Sequence, residues 1–300
     1  MIPEFPEFKK IELSDKDEIE KFTGAYPPYS DFNFVSMWSW DISGEMRVSQ
    51  LNNNLVVRFT DYLTEKQFLS FIGNNKVNET ALGLLKLAVD QKLISELKLV
   101  PEHTANELDN NVFKIEEDIN DFDYVYNIEE LRTLAGSKFE TKRGVIHRFI
   151  KKYKETKSEI IDPTDVKIKA DILKLNYSWI ENKLAKDPFF DIKNELIAID
   201  RFLNSSGPHG SLCVGVFADE KLVGYSVNQI ISSDYSIGHF IKSHKEGSFE
   251  FIMQETAKKL AEKGVKYFNF EQDLGIEGLR KSKQSYRPAF FLKKFNVSKK

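Results

Sequence analysis

Glu271, Gln272 and Asp273 stand together where a short run of β-forming residues ends. Two carboxylates at a strand end are the groups in this chain best placed to take a proton from an attacking amine or hydroxyl. Val265, Tyr267, Phe268 and Phe270 form the run, and Gly264 closes the helix before it. Gly275 and Gly278 loosen the chain beyond, and Ile276, Leu279, Arg280 and Lys283 then recur at helical spacing. Tyr286-Arg287-Pro288 stops that helix and opens an aromatic, basic tail. Ligands of α/β sheets sit outside the carboxyl ends of strands, so Glu271, Asp273 and Tyr286 are read as candidate catalytic residues. Glu271 or Asp273 would act as the base, and Tyr286 with a strand N–H would stabilise an oxyanion. The same two carboxylates could instead cap the helix that follows.

The cations are clustered. Ser137 to Lys157 holds eight Lys or Arg against two Glu, and Arg280 to Lys300 holds eight and no acid, in a chain of net charge -3. A cationic zone on an acidic body points to an anionic ligand; the alternative is a solvated helix face plus a frayed basic tail. Lys142, Arg143, His147 and Lys151 recur on successive helical turns, a locus of phosphate size. In the loop Lys242 to Ser248, Lys242, Lys245 and Gly247 precede a helix whose N-terminal N–H groups suit a pyrophosphate. Arg280 and Lys283 complete the candidate substrate-binding set. No Walker loop, paired CxxC, HExxH or G-x-S-x-G occurs, so nucleotide hydrolysis, zinc chemistry and a serine hydrolase have no motif, and no metal ligands are assigned.

The positioning elements form two series. Ser14-Asp15-Lys16-Asp17 reads as an N-cap and an acidic first turn that lead a helix through Phe22. Met46–Leu51 and Leu55–Phe59 are strands about an Asn turn, Thr64 to Phe71 reads as a short helix running into a strand, and Asn78–Asp90 is a helix with its apolar stripe at Leu82, Leu85 and Val89. Leu97–Val100 is a strand and Glu102–Asp109 a short helix. Helices follow at about Lys138 to Lys154, from Pro163 through Trp179, and from Leu196 to an end near Gly207-Pro208. Strands at Leu212–Phe217, Leu222–Ile231 and Asp234–Ile241, a helix at Ser248–Lys263 and a strand at Val265–Phe270 come last. Hairpin, helix, strand thus occurs twice at an offset near 170, which predicts an α/β (α+β) protein of two lobes, 1–120 and 121–300.

Composition is that of an ordinary globular chain: 300 residues, 41% hydrophobic and 30% charged. The lone cysteine, Cys213, lies in an apolar strand and reads as buried packing. Met1 to Leu13, with its prolines and charges, does not read as a signal peptide, and no apolar run reaches the length of a membrane span. These features give the expectation of a cytoplasmic protein and set no oligomeric state.

Two blocks carry a family resemblance. The run Glu271-Gln272-Asp273-Leu274-Gly275-Ile276-Glu277-Gly278-Leu279-Arg280 through Tyr286-Arg287-Pro288 resembles the C-terminal signature of a bacterial family sharing the C-terminal domain of the phosphatidylglycerol lysyltransferases (DUF2156-type). Phe122-Asp123-Tyr124-Val125-Tyr126, Leu134-Ala135-Gly136-Ser137-Lys138-Phe139, Lys142-Arg143 and Phe149 match a second block of its pattern. The resemblance covers about the whole chain. It implies two tandem acetyltransferase-like (GNAT) lobes, each a mixed, mostly antiparallel sheet flanked by helices. It further implies an acyl- or aminoacyltransferase that uses acyl-CoA or aminoacyl-tRNA as donor, with no covalently bound cofactor. The acceptor would be an amine or hydroxyl of a small molecule or a lipid headgroup. The Lys242 to Ser248 loop lacks the Q/R-x-x-G-x-G/A run of acetyl-CoA enzymes. A tandem shell that binds an anionic ligand without turnover is the alternative.

Overall fold

A computed structural model describes residues 1–61, 64–185, 193–205 and 210–300, so the helix end expected at Gly207-Pro208 lies outside the described residues. The chain forms two compact units. The first holds Met1–Asp123, Gln272–Arg280 and Phe291–Lys300, and the second Tyr124–Glu271 and Lys281–Phe290. The chain first crosses between units two residues beyond Asp121, and two C-terminal segments then return to the first unit.

In chain order the first unit contributes β1 (Lys9–Lys10), α1 (Lys16–Thr23), α2 (Phe34–Trp40), β2 (Arg47–Leu51), β3 (Asn54–Thr60), β4 (Gln67–Ile72), α3 (Val77–Asp90), β5 (Leu97–Pro101), α4 (Glu102–Ala105) and β6 (Phe113–Glu117). Next come β7 (Asp123–Asn127), α5 (Ile128–Thr133), α6 (Glu140–Lys152), β8 (Thr156–Ile160), α7 (Val166–Leu184), α8 (Lys193–Asn204), β9 (Ser211–Ala218), β10 (Lys221–Ile230), β11 (Tyr235–Ser243), α9 (Ser248–Glu262) and β12 (Tyr267–Asn269). The chain ends with α10 (Glu277–Gln284), β13 (Phe290–Leu292) and β14 (Lys294–Lys299).

Each unit is built on a seven-stranded mixed sheet, and the two sheets share one plan. The first runs β1-β2-β3-β4-β5-β14-β6; the second, read from its far edge, runs β8-β9-β10-β11-β12-β7-β13. In both, four antiparallel strands lead to a parallel fifth, and an antiparallel sixth follows. In both, the parallel step is bridged by one long helix, as a crossover requires. The fifth strands begin at Leu97 and Tyr267, 170 residues apart, matching the sequence offset. The tandem GNAT-like architecture implied by the resemblance is therefore present.

Four details differ from the sequence reading. Leu82 and Val89 of α3 are exposed; the helix instead buries Ala81, Leu84, Leu85 and Ala88 against Val56, Leu69 and Phe71. Two alanines on that face let the helix lie close to the sheet, and large aliphatic residues alone misled the stripe by one step around the helix. The stretch from Thr64 holds no helix among its described residues and becomes β4. The short strands β6 and β8 alternate too weakly to read as strands. The basic tail is not frayed, because β14 pairs with β5 on one side and β6 on the other.

What admits that tail to the first sheet is Lys294, fully buried with its ammonium between two carboxylates. It pairs with Asp123 at 2.7 Å and with Asp31. Ser30 donates its hydroxyl to Asp123 at 2.7 Å and its backbone N–H to the same group at 2.8 Å. Gln272 donates to Asp31 at 3.0 Å. Burial pulls the Lys294 pKa down, but Asp123 and Asp31 outweigh it and hold the group charged. Burial likewise pushes Asp31 up against the pull of Lys294. Removing one member of such a cluster leaves a charge buried without its counterion. Lys294→Met is expected to cost about 3–5 kcal/mol in urea denaturation, and adding Asp123→Asn should restore part of that. A loss below about 1 kcal/mol would show that water or a shifted carboxylate replaces the lysine without difficulty.

Candidate functional site

In the second unit the parallel strands β11 and β12 join and then separate. Tyr235, Ser236 and Ile237 pair with Tyr267, Phe268 and Asn269, and no further residues do. β11 continues to Ser243 beside β10 alone. A bulge explains the divergence: Val227 lies opposite Phe240 and Asn228 opposite Gly238, so His239 is the extra residue and bends the strand. Gly238 is required beneath it, since a Cβ there would lie 2.5 Å from the Phe268 ring. The chain beyond β12 stays with β7, Phe270 donating to the Tyr124 carbonyl at 2.9 Å and Tyr124 to the Glu271 carbonyl at 3.1 Å.

The unpartnered edge of β11 has a defined polarity. Backbone bonds from Ile231 to Tyr235 and from His244 to Val223 fix which residues face β10. Beyond the bulge these are Phe240 and Lys242. The N–H groups of Ile241 and Ser243 therefore point to the side that β12 has left. Across that opening Nδ1 of His239 lies 3.6 Å from Oε1 of Glu271. The His239 side chain is buried, and Glu271 keeps partial access to solvent at 21%. Glu271 adopts a left-handed backbone (φ 55°), and its N–H is held by Oδ1 of Asn269 at 2.8 Å. Such strain at a strand end is concentrated at sites that use it.

The first unit repeats the parallel step but closes it. β4 and β5 pair at Leu69 and Leu97. Both the N–H and the carbonyl of Gly73, just past β4, bond the buried Thr104 hydroxyl of α4, at 3.3 and 2.8 Å. The buried Asn54 amide ties Asn75 in both directions, at 2.7 and 3.1 Å. Among the described residues no such side-chain bond reaches the outward backbone groups of Ile241 or Ser243 in the second unit.

The other residues singled out in the sequence fall into separate groups. Tyr286 is buried beside Tyr126 and Phe249, with the Lys142 ammonium 4.0 Å above its ring. Burial pushes the Tyr286 phenol well above its usual range and lowers Lys142, which Glu250 at 3.5 Å partly restores. Among the described residues the Tyr286 hydroxyl has no hydrogen-bond partner. Lys283 is buried and donates to the Phe270 carbonyl. Arg143 caps α5 through the Leu134 and Gly136 carbonyls. Lys242 is buried against Glu195 and the Trp179 ring, on the α7 and α8 side. Lys245 is exposed in the loop before α9. Gly247 (φ 81°) caps α9 where a Cβ would lie 2.9 Å from Phe149 Cβ, so α6 packs directly on this loop. His147 and Lys151 are exposed on α6.

Asp273 belongs to the first unit with Arg280. Its buried carboxylate takes two guanidinium bonds, at 2.7 and 2.8 Å, and the Gly275 N–H at 2.8 Å. Arg280 also donates to Asn120 at 2.7 Å. This ties the glycine-loosened turn rather than capping α10, which begins four residues later. His239 was not singled out in the sequence, although a histidine inside the apolar run Ile237 to Ile241 was a readable signal. Cys213 is buried, which pushes its thiol up to about 12 and leaves it unreactive. Among the described residues no cluster of metal ligands occurs.

The family described as phosphatidylglycerol lysyltransferase, C-terminal, matches residues 24–298. A conserved protein of unknown function from Bacteroides thetaiotaomicron VPI-5482 is 27% identical, with a TM-score of 0.84 over all of both chains. The structure of L-PGS from Bacillus licheniformis shares the fold at 12% identity and a TM-score of 0.62, over 99% of this chain and 93% of that one. An uncharacterized protein of Mycoplasmoides gallisepticum is 19% identical over 96% of this chain and 98% of its own length.

The Asp273–Arg280 fork generates a prediction. Asp273→Asn keeps the shape but removes the charge that receives two guanidinium bonds. Arg280 is partly exposed, so solvent limits the damage, and the expected loss of stability is about 1–3 kcal/mol. Unchanged stability with lost ligand binding would instead place Asp273 in the binding machinery.

Proposed function

This chain belongs to the phosphatidylglycerol lysyltransferase C-terminal family, and on that premise we propose that its second lobe transfers an acyl or aminoacyl group to an amine or hydroxyl. The single observation that carries the reading is the opening between β11 and β12, with His239 and Glu271 on either side of it. An extended donor can lie along the free edge of β11 as an added strand would. The acceptor attacks the donor carbonyl and passes its proton to Glu271. The oxyanion forms against the N–H of Ile241 or Ser243, groups already fixed by the sheet. It collapses as Glu271 returns that proton to the donor's carrier, which leaves as a thiol or hydroxyl. His239 orients Glu271 and shares the arriving proton.

A phosphate-bearing donor, acyl-CoA or aminoacyl-tRNA, agrees with Lys245 and the N-terminus of α9 beside the same strand end. An acceptor of lipid-headgroup type agrees with the family. Among the described residues no helix is long and apolar enough to cross a membrane. In this reading Lys283 holds the shape of the strand end, Asp273 and Arg280 tie the turn of the first unit, and Lys142 and Tyr286 support the first turn of α9.

Acyl-CoA and aminoacyl-tRNA are the donors to test. At a hundred times its Kd, the true donor is expected to add about 2.7 kcal/mol of stability in a thermal shift. Glu271→Gln should keep that stabilisation and slow transfer roughly 10²–10⁴-fold. Wild-type transfer by the variant would remove Glu271 from the role, and no shift with either donor would remove the phosphate-bearing donor.

A further inference from the structure

The second sheet ends on a strand whose outer edge is complementary to itself. β8 reads Thr156-Lys157-Ser158-Glu159-Ile160 and pairs on its inner side with β9, residues 156 to 160 opposite 218 to 214. Two backbone bonds just beyond its ends, from Asp219 to the Glu155 carbonyl and from Ile161 to the Cys213 carbonyl, fix its parity. Lys157 and Glu159 therefore direct their backbone groups to β9, while Thr156, Ser158 and Ile160 direct N–H and C=O outwards. Among the described residues these outward groups have no backbone partner. The corresponding edge strand of the first unit, β1, is only two residues long, the usual way to blunt an edge.

We propose that β8 is the site at which two copies of this chain associate, antiparallel about Ser158, to form one continuous sheet. Centring the two-fold on Ser158 sets Ser158 opposite Ser158, and Thr156 opposite Ile160, all with outward backbone groups. Those three pairs exchange about six hydrogen bonds. The same register sets Lys157 opposite Glu159 of the second copy, and Glu159 opposite Lys157. These are non-hydrogen-bonded pairs, where side chains approach most closely. Both side chains are about half exposed and meet each other at 3.4 Å within one strand, with the Lys157 ammonium 5.3 Å from the Phe217 ring centre. Ile160, 53% exposed, gains the Thr156 methyl of the second copy as cover. A one-residue slip would set outward backbone groups against groups already bonded to β9, and a two-residue slip would oppose Lys157 to Lys157 or Glu159 to Glu159, so the register is specified. A symmetric contact of this kind closes at two copies. Five residues of edge make it a weak, salt-dependent association.

Sedimentation velocity of the full chain, over a wide concentration range at low and high salt, tests it. The wild type is expected to show a reversible dimer that salt weakens. Lys157→Glu and Glu159→Lys each set like charges opposite one another, and each should raise the dimer Kd by roughly tenfold. Mixing the two variants should restore a dimer, since every cross-strand pair is then unlike in charge although each strand alone remains like-charged. Ser158→Pro removes an outward N–H while leaving the ladder to β9 intact. It should abolish the dimer with unfolding transitions matching a Ser158→Ala control. A monomer at all concentrations would overturn the proposal. So would a dimer untouched by either charge reversal or by the proline, or a failure of the mixed variants to associate while each alone is folded.

Discussion

A parallel pair of strands that cannot stay together sets the character of the second lobe. The crossover helix α9 delivers β12 beside β11, but the bulge at His239 turns β11 away after three paired residues. Beyond that point the N–H groups of Ile241 and Ser243 on β11 lose the strand partner that a regular sheet would have given them. Unmet N–H groups that are rigidly held are costly in a fold and useful in a site. The surrounding residues read as consequences. Gly238 makes room for Phe268, Asn269 holds the backbone of Glu271, and Lys283 satisfies the Phe270 carbonyl that the departing chain would leave bare.

The first lobe is the internal control for this view. It has the same strand order and the same parallel step, so the fold alone does not create a site. There Thr104 and Asn54 bond the backbone of Gly73 and Asn75 just past β4. The difference between the lobes is a few polar side chains placed as plugs. Duplicated lobes can therefore diverge in chemistry without diverging in topology.

Much of this was legible in the sequence for a physical reason. Periodicity reports which face of an element meets a core, and the two lobes share that pattern at a constant offset. The place of Glu271 just beyond β12 was legible too, since it follows a run of β-formers. The pairing of β14 was not, because Lys294 and its neighbours look like a solvated tail until Asp31 and Asp123 arrive from more than 150 residues away. Asp273 and Arg280 lie seven residues apart and were read as a catalytic carboxylate and a substrate-binding cation, whereas in the structure they pair with each other. His239 was passed over because a bulge is a property of paired strands, and no single strand announces it.

Charge counting shows the same limit from another side. The two basic segments suggested a field ready for an anion. In the structure Arg143 and Lys283 are taken up by carbonyls, and Arg280, Lys294 and Lys242 by carboxylates. A cation spent on a neighbour still contributes to shape, but its field is largely cancelled a few ångströms away. Cations that still face solvent include Lys245, Arg287 and the outer face of α6, where Arg148, Lys151 and Lys152 lie. Exposed charges act through salt-screened attraction, and so they govern the approach of a polyanion more than its final grip. In the proposed function the grip comes from the strand edge, whose donors are neutral, fixed and insensitive to salt.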